Sequence, residues 1–148
     1  MRHVFPGETW IAAYRDSLNE SEEYHDAAAT WRHGAIAMVV LPAPELGLED
    51  GFAVWLDVEA GQCRGARRVT LDEALAAPFC LSATYARWRD VLSNRLDPVA
   101  GMITRRIALR GSLVTMMRYV RSAKAMVRCG TRVPSRFLDQ PVLAEEIS

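Results

Sequence analysis

The sequence predicts an α+β domain: a five-stranded, mainly antiparallel sheet with helices covering one face. Three observations lead there. Apolar residues at helical spacing open the chain and give way after residue 34 to short runs rich in β-formers. Those runs follow one another with a hairpin signal between two of them. The second half returns mostly to helical spacing, with the longest periodic stretch near the end. The chain has 148 residues, of which 50% are hydrophobic and 24% charged, a globular balance rather than that of a disordered tail or a fibre. A single domain of this size buries roughly 70% of the surface its unfolded chain exposes.

Trp10, Ala13, Tyr14 and Leu18 form one apolar helical face. Asn19-Glu20-Ser21 interrupts it, and a further turn or two runs through Glu22–Thr30. Ala35–Leu41 is short and apolar, and Pro42 ends it, so it reads as a strand followed by a loop to Gly51. Phe52–Glu59 alternates, with Phe52, Val54, Leu56 and Val58 on one face, the pattern of a half-buried strand. Ala60-Gly61-Gln62 turns it into a third strand, Cys63–Val69. Thr70 and Glu73 have capping-box spacing, so a short helix is expected over 71–76.

A fourth strand over Phe79–Thr84 precedes a helix over Tyr85–Ser93. Asp97-Pro98 pairs an N-cap with a first-turn proline and starts a helix to Thr104, with Val99, Met102 and Ile103 facing inward. Arg106–Arg110 alternates as a fifth strand. Leu113–Cys129 then reads as one long helix, with Met116, Met117, Val120 and Met126 on one side and Gly130 as its C-cap. The last 18 residues, with Pro134 and Pro141, read as an extended tail.

The net charge of zero, 18 basic against 18 acidic residues, conceals a polarised chain. Residues 1–60 hold 3 Arg and 11 acids, whereas residues 61–138 hold 15 basic residues and 4 acids. All the basic residues except Lys124 are Arg, which a G+C-rich coding sequence explains at least as well as any need for guanidinium chemistry. Three cysteines without CxxC spacing make neither a disulfide framework nor a zinc site. The N-terminus lacks the apolar stretch of a signal peptide. No run approaches the ~20 apolar residues that span a bilayer. A cytoplasmic, reduced protein is expected, in which the sequon at Asn19-Glu20-Ser21 is idle.

Nucleophile elbows, Gly-rich phosphate loops, Walker sequences and HExxH motifs are absent. His25 among Glu22, Glu23 and Asp26 resembles a metal cluster only weakly, and a solvated acidic helix face explains the same residues. Cys80, in an apolar strand, reads as core. Catalytic residues, metal and cofactor are therefore all expected to be none. The Arg clusters at 64–68, at 105–110 and along the long helix either pair with the acidic first third or offer a face to phosphates. The methionines at 102, 116, 117 and 126 either fill core gaps or line an adaptable apolar surface.

The stretch Phe79–Leu92, FCLSATYARWRDVL, resembles the strand, Ser-Ala, short loop, Trp and helix of the sterol carrier protein type two family. Leu96-Asp97-Pro98-Val99-Ala100-Gly101-Met102-Ile103 followed by Ile107–Gly111 resembles that family's next helix and final strand. The likeness covers about residues 8–130. Asn94-Arg95 and Arg105 stand where the family often has glycine, and Ser112 where Asp is common. The C-terminal Glu146-Ile147-Ser148 is not a Ser-Lys-Leu address, so the family's peroxisomal role is not expected to carry over.

The resemblance implies a sterol-carrier-like domain over 1–130, a tail over 131–148, and an apolar tunnel between sheet and helices. It implies a non-catalytic carrier of a sterol, fatty acid or fatty acyl ligand, with Trp88, Leu92, Met102, Ile103, Leu109, Met116, Met117 and Val120 as the ligand-binding residues. Transient contact with anionic membrane and a homodimer are compatible partners. Nucleic acid is not an expected partner, because the acidic first third repels the same backbone. The alternative is an accessory or dimerisation module serving a partner enzyme that acts on apolar substrates, since similar domains occur attached to alkyl sulfatases.

Overall fold

The apolar run after Gly34 becomes the middle strand of a sheet, buried on both sides. A computed structural model describes residues 2–139. In chain order the elements are β1 (His3–Phe5), α1 (Glu8–Glu20), α2 (Glu22–Ala27), β2 (Ile36–Val40), a 3-10 turn (Pro44–Leu46), β3 (Phe52–Glu59) and β4 (Gln62–Val69). They continue with α3 (Leu71–Leu75), β5 (Phe79–Ala83), α4 (Tyr85–Leu92), α5 (Pro98–Ile103), β6 (Ala108–Arg110), α6 (Leu113–Arg118), α7 (Val120–Arg132) and β7 (Ser135–Phe137). The sheet order is β4-β3-β2-β5-β6, with β2 and β5 parallel and the other pairs antiparallel. This is the expected α+β class.

Alternation sorts each strand between two cores. Ile36, Met38 and Val40, with Phe52, Val54, Leu56 and Val58 and with Phe79, Leu81 and Ala83, face the main core under the larger helices. Ala37, Val39, Ala53 and Cys80 face the other way, into a smaller cluster closed by Leu71, Ala74 and Ala77 on and beside α3. Helices therefore cover one face fully, and α3 covers part of the second. Its start follows the expected capping box: Thr70 Oγ1 accepts from the Glu73 amide at 3.1 Å, and Glu73 Oε1 accepts from the Thr70 amide at 3.2 Å.

The turns follow the local chemistry. Ala60 (φ 50°) and Gly61 (φ 79°) make the β3–β4 hairpin, whose two positive φ values match the right-handed strand twist. A Cβ on Gly61 would lie 2.5 Å from the His25 carbonyl oxygen, so the hairpin lies directly on α2. Asp97 caps α5 by accepting from the Ala100 amide at 2.9 Å. Asn94 (φ 64°) and Arg105 (φ 60°), the two places where a glycine was noted as usual, both hold left-handed backbone. The turn geometry is kept although the glycine is not.

Four features depart from the expected elements. The long helix breaks at Tyr119, between α6 and α7. The Tyr119 hydroxyl donates to the Thr30 carbonyl at 3.1 Å and lies 3.1 Å from Thr30 Oγ1, while its ring meets Trp31 edge-on at 4.9 Å. Gly130 lies inside α7 and is no cap; a Cβ there would sit 2.8 Å from Leu92 Cδ2, so glycine lets α7 approach α4. The last strand begins at Ala108, because Ile107 instead donates its amide to Gly101 at 3.0 Å. Finally, the segment read as an extended tail starts with the end of α7 and then β7, which pairs in parallel with β1. Tyr85 ties this ribbon down, donating to the Phe5 carbonyl at 2.7 Å and accepting from the Leu138 amide at 2.8 Å. The rest of the tail, residues 140–148, lies outside the described residues.

At the outer edge of the sheet, Asn19 imitates a neighbouring strand. Its side-chain carbonyl accepts from the Cys63 amide at 2.8 Å, and its amide donates to the Cys63 carbonyl at 2.9 Å. The sequon's acceptor nitrogen is thus engaged in joining α1 to β4. Replacing Asn19 by Ala strands two backbone groups, each a penalty of about 1–3 kcal/mol if water does not replace the partner. Urea unfolding of Asn19→Ala is expected to give a loss of at least about 1 kcal/mol, and Asn19→Asp a loss as well, because a carboxylate cannot donate to the Cys63 carbonyl.

Candidate functional site

Two apolar cavities lie between the sheet and the helices. The first, about 60 Å³, is bounded by Ile36, Met38 and Leu81 of the sheet, by Trp88 and Val91 of α4, and by Pro98 and Met102 of α5. Met116 of α6, Tyr119 at the break, and Ser122, Ala123, Met126 and Val127 of α7 close it. The second, about 50 Å³, is bounded by Phe5, Trp10, Val40, Val54 and Leu92. Tyr14, Met38, Trp88, Val91, Met126 and Val127 line both and so form a shared wall.

That wall has fixed and adaptable parts. Trp88 Nε1 donates to the Val39 carbonyl at 2.8 Å, which anchors α4 to the middle strand. The Tyr14 hydroxyl donates to the Met126 carbonyl at 3.0 Å, and burial holds its pKa well above the ordinary phenol value. Val91 and Val127 are stiff at χ1. Met38 and Met126 are unbranched and polarizable, so they are the members of the wall that can repack.

Neither lining contains Asp, Glu, Lys, Arg, His or Cys. Ser122, 5% exposed, puts a hydroxyl into the otherwise largely apolar lining of the first cavity. Among those residues no group of three or more His, Cys, Asp or Glu is placed to hold a metal. No helix of theirs is long and apolar enough to cross a membrane. Burial pushes the Cys63 thiol up to about 11 and raises that of Cys80 as well, so both are protonated near neutral pH.

The structure brings together some of the residues expected to bind ligand. Trp88, Met102 and Met116 line the first cavity, and Trp88 and Leu92 line the second. Leu109 and Met117 are half-buried against the main core but reach neither cavity. Val120 lines an outer groove. Ile103, expected to face inward, is 61% exposed: Met102 takes the inward place in six-residue α5, and the next side chain lies about 100° round the helix. Tyr14, Met38, Val91, Met126 and Val127 were not among the residues expected to bind. Met126 was expected on the inward side of the long helix, but residues 35–41 are apolar throughout, so neither the side on which Met38 falls nor which elements share one void was readable from spacing.

No protein-family model and no curated relative matches the chain. Solved structures do. A crystal structure of sterol carrier protein 2 shares 37% identity, covering 86% of this chain and 97% of its own, with a TM-score of 0.81. A conserved hypothetical protein of Thermus thermophilus, solved in solution, shares 36% identity over 92% of this chain and 93% of its own, also at 0.81. The chain belongs to the sterol carrier protein 2 family. A more distant case is sterol carrier protein 2 from Yarrowia lipolytica in its apo form, which shares the fold alone, at 9% identity and a TM-score of 0.53 over 82% of this chain and 89% of its own.

In this member of the sterol carrier protein 2 family the thiols are packing groups, with Cys63, Cys80 and Cys129 all buried. Iodoacetamide at pH 8 is therefore expected to modify all three only after urea unfolding, as counted by intact mass. A native thiol alkylated within minutes contradicts this picture.

Proposed function

We propose that the chain is a non-catalytic lipid carrier that holds its ligand in an apolar tunnel formed when the two cavities join. The shared wall carries this reading: two uncharged voids have six lining residues in common, two of them methionines. Ligand sites run to roughly 300–1,000 Å³. Voids of about 60 and 50 Å³ must therefore widen to admit any lipid. Each buried methylene returns about 0.8 kcal/mol, so an acyl chain of a dozen carbons outweighs the rotamer entropy of two methionines, at most about 2 kcal/mol each. A flexible acyl chain can thread the chambers in turn, whereas a rigid sterol needs the whole width at once. Fatty acid and fatty acyl ligands fit this interior better than a sterol.

Gentle purification, organic extraction and mass spectrometry are expected to recover a lipid, and a fluorescent fatty acid should bind and be displaced by an unlabelled one. Ala123→Phe fills the first cavity and should abolish that binding while the melting transition survives. A wild-type protein that neither carries lipid nor binds the probe overturns the carrier reading.

Delivery to an anionic membrane belongs to the same proposal. Residues 95–132 hold nine basic residues and one acid. Ile103, Leu113 and Val114 are 61%, 45% and 67% exposed, on the two short helices that close the first cavity. Co-sedimentation is expected with vesicles containing phosphatidylserine but not with pure phosphatidylcholine, and is expected to weaken as salt is raised. Equal binding to both vesicles rules this delivery route out.

A further inference from the structure

We propose that the groove beside Tyr119 receives the carboxylate of a fatty acid whose tail occupies the apolar interior, so that the preferred cargo is anionic. This rests on the carrier reading above and adds the polar end of the ligand to it. The groove, about 350 Å³, has Thr30, His33, Arg118, Tyr119 and Arg121 in its walls and no Asp or Glu. Tyr119 also lines the first cavity, so one side chain separates a cationic groove from an apolar void.

The two guanidinium groups are available to a ligand. Arg118 and Arg121 enter no ion pair or side-chain hydrogen bond among the described residues. The Arg121 charge helps to hold the Glu23 carboxyl below its ordinary range, yet that carboxylate is occupied by Arg128, which donates to its two oxygens at 2.8 and 2.7 Å. On the cavity side stands Ser122, the one hydroxyl of α7 in the lining of the first cavity.

The division of polarity decides the ligand class. A carboxylate taken into either cavity would meet no charge partner and suffer a desolvation penalty of several kcal/mol. Left in the groove, it keeps water and gains two guanidinium donors. The carbons next to it pass Tyr119, whose hydroxyl is held by Thr30 across a helix break that already separates α6 from α7. A neutral alcohol of equal length gains the same burial without the ion pair.

The test compares dodecanoate with dodecanol, titrated calorimetrically into lipid-stripped protein without vesicles. One exposed ion pair contributes up to about fivefold in affinity, so with two guanidinium groups the acid is expected to bind about tenfold more tightly than the alcohol. Arg118→Ala/Arg121→Ala should remove that advantage and leave dodecanol binding and the melting transition unchanged. The control Arg95→Ala/Arg110→Ala, with the same change in net charge, should leave both affinities as they were. If wild type binds dodecanol as tightly as dodecanoate, or the double variant keeps its preference for the acid, the groove site is overturned and the carrier reading stands. If wild type binds neither ligand, the carrier reading falls and the groove site falls with it.

Discussion

The interior is organised by the burial of β2 on both faces, fixed by the hydrogen bond from Trp88 to the Val39 carbonyl. A five-residue strand between an antiparallel and a parallel neighbour has no solvent face, so its residues must all be apolar. What differs is size. Ala37 and Val39 face α3, where Ala53, Ala74 and Ala77 are also small and let the short helix pack closely. Ile36, Met38 and Val40 face the larger helices. There Trp10, Tyr14, Trp31 and Trp88 hold the helices off the sheet, each with its polar tip bonded: to Ser135, Met126, Gly34 and Val39 respectively. Large aromatic props with fixed tips leave gaps between them, and those gaps are the two cavities.

Charge plays a different part. The acidic start of the chain meets its basic remainder at a few exposed pairs, such as Glu23 with Arg128 and Asp57 and Glu59 with Arg64. Exposed pairs of this kind contribute little, about 0.2–1 kcal/mol each. They do not hold the fold together. Arg105, Arg110, Arg118, Arg121 and Lys124 join no ion pair among the described residues, so the positive half of the chain is directed largely at solvent. Zero net charge is thus compatible with a cationic face, and the polarisation bears on partners rather than on stability.

The parts of this structure legible in the sequence are those set by neighbours a few residues apart. The Thr70–Glu73 box, the Asp97-Pro98 start, the Ala60-Gly61 hairpin and the alternation of Phe52–Val58 each carry their own cause. The family pattern over 79–111 was legible for the same reason, since it is one continuous stretch. The illegible parts depend on distant partners. Tyr119 breaks the helix where it reaches Thr30, 89 residues earlier, and a helical periodicity plot has no access to that bond. Gly130 reads as a cap until Leu92 is placed against it. The pairing of β1 with β7 joins the two ends of the described chain. The candidate site shared this limit: Met102 and Met116 could be picked out as apolar, but Met38 joins them only because β2 lies under the break.

The same break reconciles a packing defect with its persistence. Cavities cost about 24 cal/mol per Å³ in a well-packed core, so voids of about 60 and 50 Å³ cost roughly 1.2–1.4 kcal/mol each. That is a sizeable share of a typical stability of about 5–15 kcal/mol. Larger side chains at Ala123 or Val127 would fill the space, and a straight helix from Leu113 to Arg132 would avoid an interrupted hydrogen-bond ladder. The chain instead keeps Ala123, Met38 and Met126 beside two apolar voids, and interrupts its helix at Tyr119, which lines both the first void and a cationic groove. A core selected for stability alone has no use for either feature. Under the proposed carrier role both features have a use, because a core that opens at one end for an amphiphile is served by adaptable voids and by a break beside a cationic groove.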